Sequence, residues 1–270
     1  MVLWADTFNN YFQPETAQAA VEVLEAAGWC VVVPAQPLCC GRPLYDWGML
    51  RLARRQLRQI VAALRDEIRA GTPVVGLEPS CLAVFRDELL QQLPGDQDAA
   101  RLARQSLLLS ELLVREPSGW QPPRLSGEGE RRREALVQAH CHHHAVMDLD
   151  AERRVLAELG LDFEMLDAGC CGMAGAFGFE RGERYEVSRR IAERALLPAV
   201  RGAAPDTLIV ADGFSCREQI AQGSGRRALH LAQLLQAALR HERQAGSLAA
   251  AAGAGGNRAQ KPLGALDGKG

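Results

Sequence analysis

Two cysteine pairs, each followed by glycine, stand far apart in the chain: Cys39-Cys40-Gly41 in "QPLCCGRP" and Cys170-Cys171-Gly172 in "LDAGCCGMAGAFGFE". A single cysteine follows each pair, Cys81 in "LEPSC" and Cys216 in "ADGFSC", 41 residues after Cys40 and 45 after Cys171. Near-equal spacing of one motif marks an internal repeat. Cys141, in "AHCHHHA", precedes the second set. Several thiolates, with glycines that let the backbone approach closely, suit iron-sulfur clusters or zinc. Neighbouring side chains point to opposite sides of an extended chain, so both members of a pair reach one metal centre only at a turn. Gly41 and Gly172 are expected to make that turn, with Gly169 helping in the second half. The second half then offers four thiols, Cys141, Cys170, Cys171 and Cys216, enough for a cubane-type cluster or a zinc ion. The first offers three, Cys39, Cys40 and Cys81. Buried free thiols would explain any one of these cysteines, but account poorly for seven placed so regularly. The eighth, Cys30, lies beside Trp29 and reads as core packing.

The elements that must position these residues follow from hydrophobic period. Short apolar strands are expected at 2–5, 30–33 and 73–77, and again at 135–139, 162–166 and 207–211. Between them run helix patterns at 14–27, 46–70, 81–92 and 98–115, then at 149–159 and 182–197, with further helices from 215 and 229. Alternating strands and helices imply an α/β fold: two pseudo-symmetric Rossmann-like repeats with parallel sheets. All seven cysteines then fall just after strands, at the carboxyl edge where open parallel sheets bind ligands. The expected organisation is a first cysteine-rich repeat over 1–115, a Pro-, Gly- and charge-rich linker over 116–134, and a second repeat over 135–244. The tail, 245–270, is too poor in large apolar residues to fold and is expected to be disordered.

The chain has 270 residues, 47% of them hydrophobic, enough for a packed core without disulfides. Thirty-one basic residues against 33 acidic ones leave a net charge of -2, which gives no support to nucleic acid or an anionic membrane as a partner. The arginine-rich amphipathic helix patterns read as faces packed on a sheet. "MVLWADTFNN" lacks a secretory pattern, and no apolar run reaches the roughly 20 residues of a membrane helix. The expectation is a cytoplasmic chain, where thiols stay reduced and cysteine clusters bind metal or act chemically.

Around Cys141, His140 and His142 are expected to support a metal centre or shuttle protons, with a solvated loop as the alternative. A Cys-His nucleophile would leave six cysteines unexplained, and no catalytic residue is assigned. "GMAGAFG" lacks the spacing of a phosphate-binding loop and reads as a wrap around a cluster or a helix cap. Glu78, Arg42, Asp212 and Arg217 flank the cysteine turns, where they would tune a potential, anchor an anion or act as ordinary surface charge.

"PLCCGRPLYDWGML", "LEPSCLAVFRDELL", "HCHHHAVM", "GCCGMAGAFGFE" and "ADGFSCREQI" resemble, over about residues 1–240, the duplicated CCG (cysteine-rich) domain. That family includes the cysteine-rich component of heterodisulfide reductase, the iron-sulfur subunits of glycolate oxidase and anaerobic glycerol-3-phosphate dehydrogenase, lactate utilisation protein A, and the C-terminal part of FAD-linked D-lactate dehydrogenase/glycolate oxidase-type enzymes. The resemblance implies iron-sulfur binding and electron relay from a flavin towards a quinone or another carrier. It also implies a cysteine before each CCG and a CxxC after it. Here Thr7 or a neighbour replaces the first opening cysteine, and Glu78 and Gly213 replace the first cysteine of each CxxC. The carry-over is therefore one [4Fe-4S] cluster on Cys141, Cys170, Cys171 and Cys216, and a related site on Cys39, Cys40 and Cys81. No flavin-binding segment and no ferredoxin-like CxxCxxC run is present. The implied partner is an FAD-containing dehydrogenase subunit or domain acting on a lactate- or glycolate-type acid, with a ferredoxin-like subunit, through which the chain would sit peripherally at the inner membrane. Two rivals are a zinc-bound structural or interaction module and a catalytic heterodisulfide or quinone reductase subunit.

Overall fold

A computed structural model describes residues 1–115, 119–125 and 131–254, with side chains as far as 244. Three strands form the first sheet, β1 (Val2–Trp4), β2 (Val74–Gly76) and β3 (Ser106–Leu108), all parallel and in the order β1-β2-β3. The second holds β4 (Glu134–Val137), β5 (Asp162–Met165) and β6 (Leu208–Val210), parallel and in the order β5-β4-β6. Single bridges extend each sheet, Val2 to Val32 beside β1 and Val210 to Leu229 beside β6. In both halves the earliest strand is therefore an inner one. Parallel pairing requires crossovers, and helices such as Pro14–Ala26 and Asp150–Glu158 supply them.

Several sequence expectations change, the helix expected over 182–197 among them, which divides into Glu183–Ala192 and Leu196–Gly202. The strand at 30–33 shrinks to the one bridge at Val32, at the sheet edge, so Cys30 is exposed rather than packed in the core. The single helix expected over 98–115 is interrupted: Gln97–Gln105 ends where Ser106 turns its hydroxyl back to the Leu102 carbonyl at 2.7 Å, β3 pairs with β2, and a helix resumes at Leu109–Arg115. The helix expected over 46–70 divides into Arg42–Asp46, Leu50–Ala63 and Arg65–Arg69, the first break falling at Gly48, whose φ is +72°. Within the expected linker, 116–118 and 126–130 lie outside the described residues, as do 255–270 of the tail; the helix Leu231–Ala254 continues into the start of that tail.

The halves share a core. Leu3 and Val75 of the first sheet, Val137 and Val210 of the second, and Leu231 and Leu235 of the last helix belong to one buried apolar cluster. Burial of this kind stabilises by about 25 cal/mol per Å² of apolar surface, which fixes the sheets against each other. Polar contacts add direction: the His230 imidazole lies 2.9 Å from the Leu77 carbonyl oxygen, and Arg217 donates to Asn9 at 3.2 Å and Gln13 at 2.7 Å. Phe8 stacks on Phe214 with ring centroids 4.4 Å apart. Among the described residues no helix is long and apolar enough to cross a membrane.

Candidate metal centre

The first thiol site is assembled from three turns. Asp6 precedes the helix Thr7–Tyr11 and accepts from the Phe8 and Asn9 amides at 2.9 and 3.0 Å, so Thr7 starts that helix at the strand end. Gly41, at φ +82°, bends the chain after Cys39 and Cys40 into the helix Arg42–Asp46; a Cβ there would lie 2.9 Å from the Gln56 side-chain oxygen. Cys81 sits on the helix Pro79–Ala83, and its Sγ is 2.9 Å from that of Cys40. Both are 5% exposed, whereas Cys39 is half-buried. The neighbouring Cys40 thiol, then burial, pushes Cys39 above the ordinary thiol range. Cys39 pulls Cys40 down, but Cys81 and burial outweigh it and raise Cys40 well above normal. Cys40 also pulls Cys81 down, and burial with the Asp6 and Glu78 charges outweighs that too.

The second site repeats this construction with different residues. His140 precedes the helix Cys141–Val146 and its Nδ1 accepts from the His142 amide at 3.1 Å. The Cys141 sulfur is 3.9 Å from His140 Nδ1 and 4.0 Å from His142 Nδ1. Gly172, at φ +95°, turns the chain after Cys170 and Cys171; a Cβ there would meet the Ser188 carbonyl oxygen at 2.3 Å, so only glycine fits. Its amide donates to Cys170 Sγ at 3.3 Å, and Gln219 donates to the Cys171 carbonyl at 2.9 Å. Cys216 lies on the helix Phe214–Ser224 and is 1% exposed.

The four thiols influence one another in sequence. Cys141 first and Cys171 next hold Cys170 well below the usual thiol range, while Cys170, with burial, raises Cys141. Cys170, then Cys216, raises Cys171. The neighbours thus favour the anion at Cys170 and oppose it at Cys141 and Cys171, where a positive centre such as a metal would favour the thiolate. Among the described residues the one compact group with ligand atoms mutually within 4.8 Å is His140, Cys141 and His142; no three of the sulfurs reach that density. Consecutive thiols are in contact, Cys141 with Cys170, Cys170 with Cys171 and Cys171 with Cys216, and an all-cysteine donor set of this kind fits an iron-sulfur centre.

Both sites open on one cavity of about 410 Å³, lined by Cys39, Cys40, Cys81, Cys141, Cys170 and Cys171. Cys216 stands behind that wall. Ala174, Gly175 and Ala176 of the glycine-rich segment form part of it, with Phe8, Phe12 and Phe179. The aromatic lining comes from positions that the sequence pattern does not single out. Of the histidines, His140 and His142 face the cavity, and burial holds each at about 4, as neutral imidazoles. His143 instead turns inward, its Nδ1 3.2 Å from Glu152.

The flanking charges divide. Arg42 lines the cavity and pairs with Glu88 at 2.5 Å. Arg217 is not an anion anchor: it is buried, and its guanidinium binds Asn9, Gln13 and the Ala211 carbonyl. Asp212 likewise accepts from the Leu231 amide at 2.9 Å. Glu78 is buried and reaches Phe214 of the other half at 2.8 Å.

Comparison with known proteins bears on this arrangement. A family model for the cysteine-rich (CCG) domain matches residues 6–86 and 137–221. The chain is 28% identical over 232 residues to D-2-hydroxyglutarate dehydrogenase of Pseudomonas putida, covering 85% of this chain and 21% of that protein. It is 29% identical over 240 residues to a subunit of the anaerobic glycerol-3-phosphate dehydrogenase of Escherichia coli K12, covering 86% and 57%. With lactate utilization protein A of Geobacillus kaustophilus it shares 29% over 247 residues, 87% of this chain and 98% of that one. The chain thus spans about a fifth of the first relative and somewhat over half of the second. Each family match encloses one thiol site, Cys39, Cys40 and Cys81 in the first and Cys141, Cys170, Cys171 and Cys216 in the second, and the chain belongs to the CCG cysteine-rich domain family.

Proposed function

We propose that the chain is an iron-sulfur electron-transfer protein or subunit working with a flavin-dependent dehydrogenase of 2-hydroxy acids. The observation that carries this reading is the convergence of four thiols distant in sequence, Cys141 at the start of one helix, Cys170 and Cys171 at the Gly172 turn and Cys216 on the helix Phe214–Ser224, within the residues that the cysteine-rich family model matches. These residues would hold a [4Fe-4S] cluster, whose chemistry is the exchange of single electrons. Cys39, Cys40 and Cys81 form a second site with one ligand fewer. The chain's own part is to close the turns at Gly41 and Gly172, to keep His140 and His142 neutral beside the sulfurs, and to line the approach with apolar side chains that exclude water. Relatives named for D-2-hydroxyglutarate, lactate and glycerol 3-phosphate support a dehydrogenase partner, and a 2-hydroxy acid is the substrate class shared by the first two. The flavin, and any ferredoxin-like relay, would belong to that partner, and membrane association would come through it.

Anaerobic purification with iron, sulfide and zinc analysis tests this, together with visible spectra before and after dithionite. The expected result is iron with acid-labile sulfide and a broad absorbance that bleaches on reduction. Stoichiometric zinc and no visible band, persisting after iron-sulfide reconstitution, would leave a zinc-bound module in its place.

A further inference from the structure

Cys81 and Cys216 are each the third residue of a helix that starts at a strand end. The residue before each helix is Glu78 in the first half and Gly213 in the second. Gly213 has no side chain with which to cap its helix, and none fits: a Cβ there would come 2.2 Å from the ring of His140. The Glu78 carboxyl group serves both helices. One oxygen accepts from the Ser80 amide at 3.2 Å and the Ser80 hydroxyl at 2.8 Å; the other accepts from the Phe214 amide at 2.8 Å, across 136 residues of sequence. Glu78 is 2% exposed, so water does not compete for these bonds.

We infer that Glu78 is a positioning residue for both thiol sites, a tether through which the first half holds the turn that carries Cys216. The geometry explains why one site keeps an acid where the other keeps glycine. Only one side chain fits between the two helix starts, and His140 fills the place its counterpart would take. The ring stack of Phe8 on Phe214 closes the same seam from the apolar side. Displacement of Phe214 therefore moves Cys216 relative to Cys171, and the second site is complete only with the first half in place. The tether stands apart from the function proposed above; its consequence for a bound cluster rests on that reading.

Hydrogen exchange of the full, reduced, metal-free chain separates the two bonds. Glu78→Asp is one methylene shorter: it retains the local cap, as Asp6 does on its own helix, and cannot reach Phe214. Its amides from Ser80 to Leu82 are expected to keep their protection, while those from Phe214 to Arg217 lose it roughly ten- to a hundred-fold, the range for a buried bond to a charged group. Glu78→Gln, near-isosteric but with one acceptor atom, is expected to lose protection at one of the two helix starts. Wild-type protection at Phe214–Arg217 in both variants overturns the inference. So does a loss spread evenly over both sheets, since Glu78 would then serve only general stability. In a Cys39→Ser/Cys40→Ser/Cys81→Ser background, Glu78→Asp is also expected to release iron to a chelator several-fold faster. An unchanged rate would overturn the effect on the Cys216 site. Failure of the parent to bind iron would count against the proposed function and leave the exchange result to decide the tether.

Discussion

In the first half, Asp6, Thr7 and Glu78 stand where His140, Cys141 and Gly213 stand in the second, each before or at the start of an equivalent helix. One site thus has three thiols beside two buried carboxyl groups, and the other four thiols beside two imidazoles. Burial, then the Glu78 charge, raises Asp6 to about 6, and both acids raise Cys81. Burial keeps His140 and His142 uncharged near pH 7. Thiolates gathered next to carboxylates repel them, whereas neutral imidazoles add no negative charge. The same backbone frame therefore presents two different donor sets, because a few positions at the strand ends set both the thiol count and the local charge.

Loss of a thiol is expected to separate the two halves most clearly. Cys171→Ser or Cys216→Ser is expected to abolish the cluster absorbance of the second site, while Cys40→Ser leaves it in place. Iron, sulfide and visible spectra of the reconstituted variants measure this; equal losses from either half would mean that the sites do not differ. Thr7→Cys sharpens the same contrast by giving the first site a fourth thiol, and is expected to raise the iron bound per chain. Cys141→Thr should lower it. An unchanged content in Thr7→Cys would assign the difference to Asp6 and Glu78 rather than to the thiol count.

The two turning glycines differ in what surrounds them. Gly172→Ala would place a Cβ 2.3 Å from the backbone oxygen of Ser188, which cannot move without its helix, at a φ of +95°. Gly41→Ala, at a φ of +82°, comes within 3.0 Å only of the end of the Gln56 side chain, at 2.9 Å, with the Ala53 backbone at ordinary contact distance. The expected destabilisation is about 2–4 kcal/mol for the first and about 1 kcal/mol for the second, read from urea unfolding of the metal-free chain. Equal losses would mean that strain at positive φ, not the close contact, dominates.

Much of this arrangement was legible in the sequence. Short apolar runs alternating with helix patterns point to β1, β2 and β4 to β6, and placing the cysteines after them predicts their convergence. β3 was hidden because "SLLLSELL" is apolar at helical and strand periods alike. The helix Cys141–Val146 was hidden for another reason: six residues are too few to establish a period, so the inward turn of His143 could not be separated from the outward one of His142. The aromatic wall of the cavity and the bond from Glu78 to Phe214 depend on how the two halves face each other. Such contacts leave no local pattern in either half. Thr7 is the intermediate case, since aligning Ala5-Asp6-Thr7 with Ala139-His140-Cys141 locates it.

The smallest effect concerns pH and again sets the halves against each other. His230 is buried at the seam; its Nδ1 accepts from the Ala232 amide, and Nε2 lies 2.9 Å from the Leu77 carbonyl and 3.5 Å from Asp212. Burial lowers its pKa below 6.5; Asp212 and Glu78 oppose that shift and Arg217 adds to it. The unfolded chain therefore takes up a proton at His230 before the folded one does, and the stability it contributes above pH 6.5 is lost as pH falls. Asp6 acts in the other direction. Its carboxyl is raised from 3.8 to about 6, so its contribution is fully present below 3.8 and is lost as pH rises through about 6. The urea midpoint of the metal-free chain is expected to fall from pH 7.5 to 5.5. His230→Gln should flatten that fall by about 1 kcal/mol, and Asp6→Asn should steepen it at its acid end. A His230→Gln profile parallel to wild type would show that the seam tolerates a charged imidazole, and would move the pH sensitivity to the histidines around Cys141.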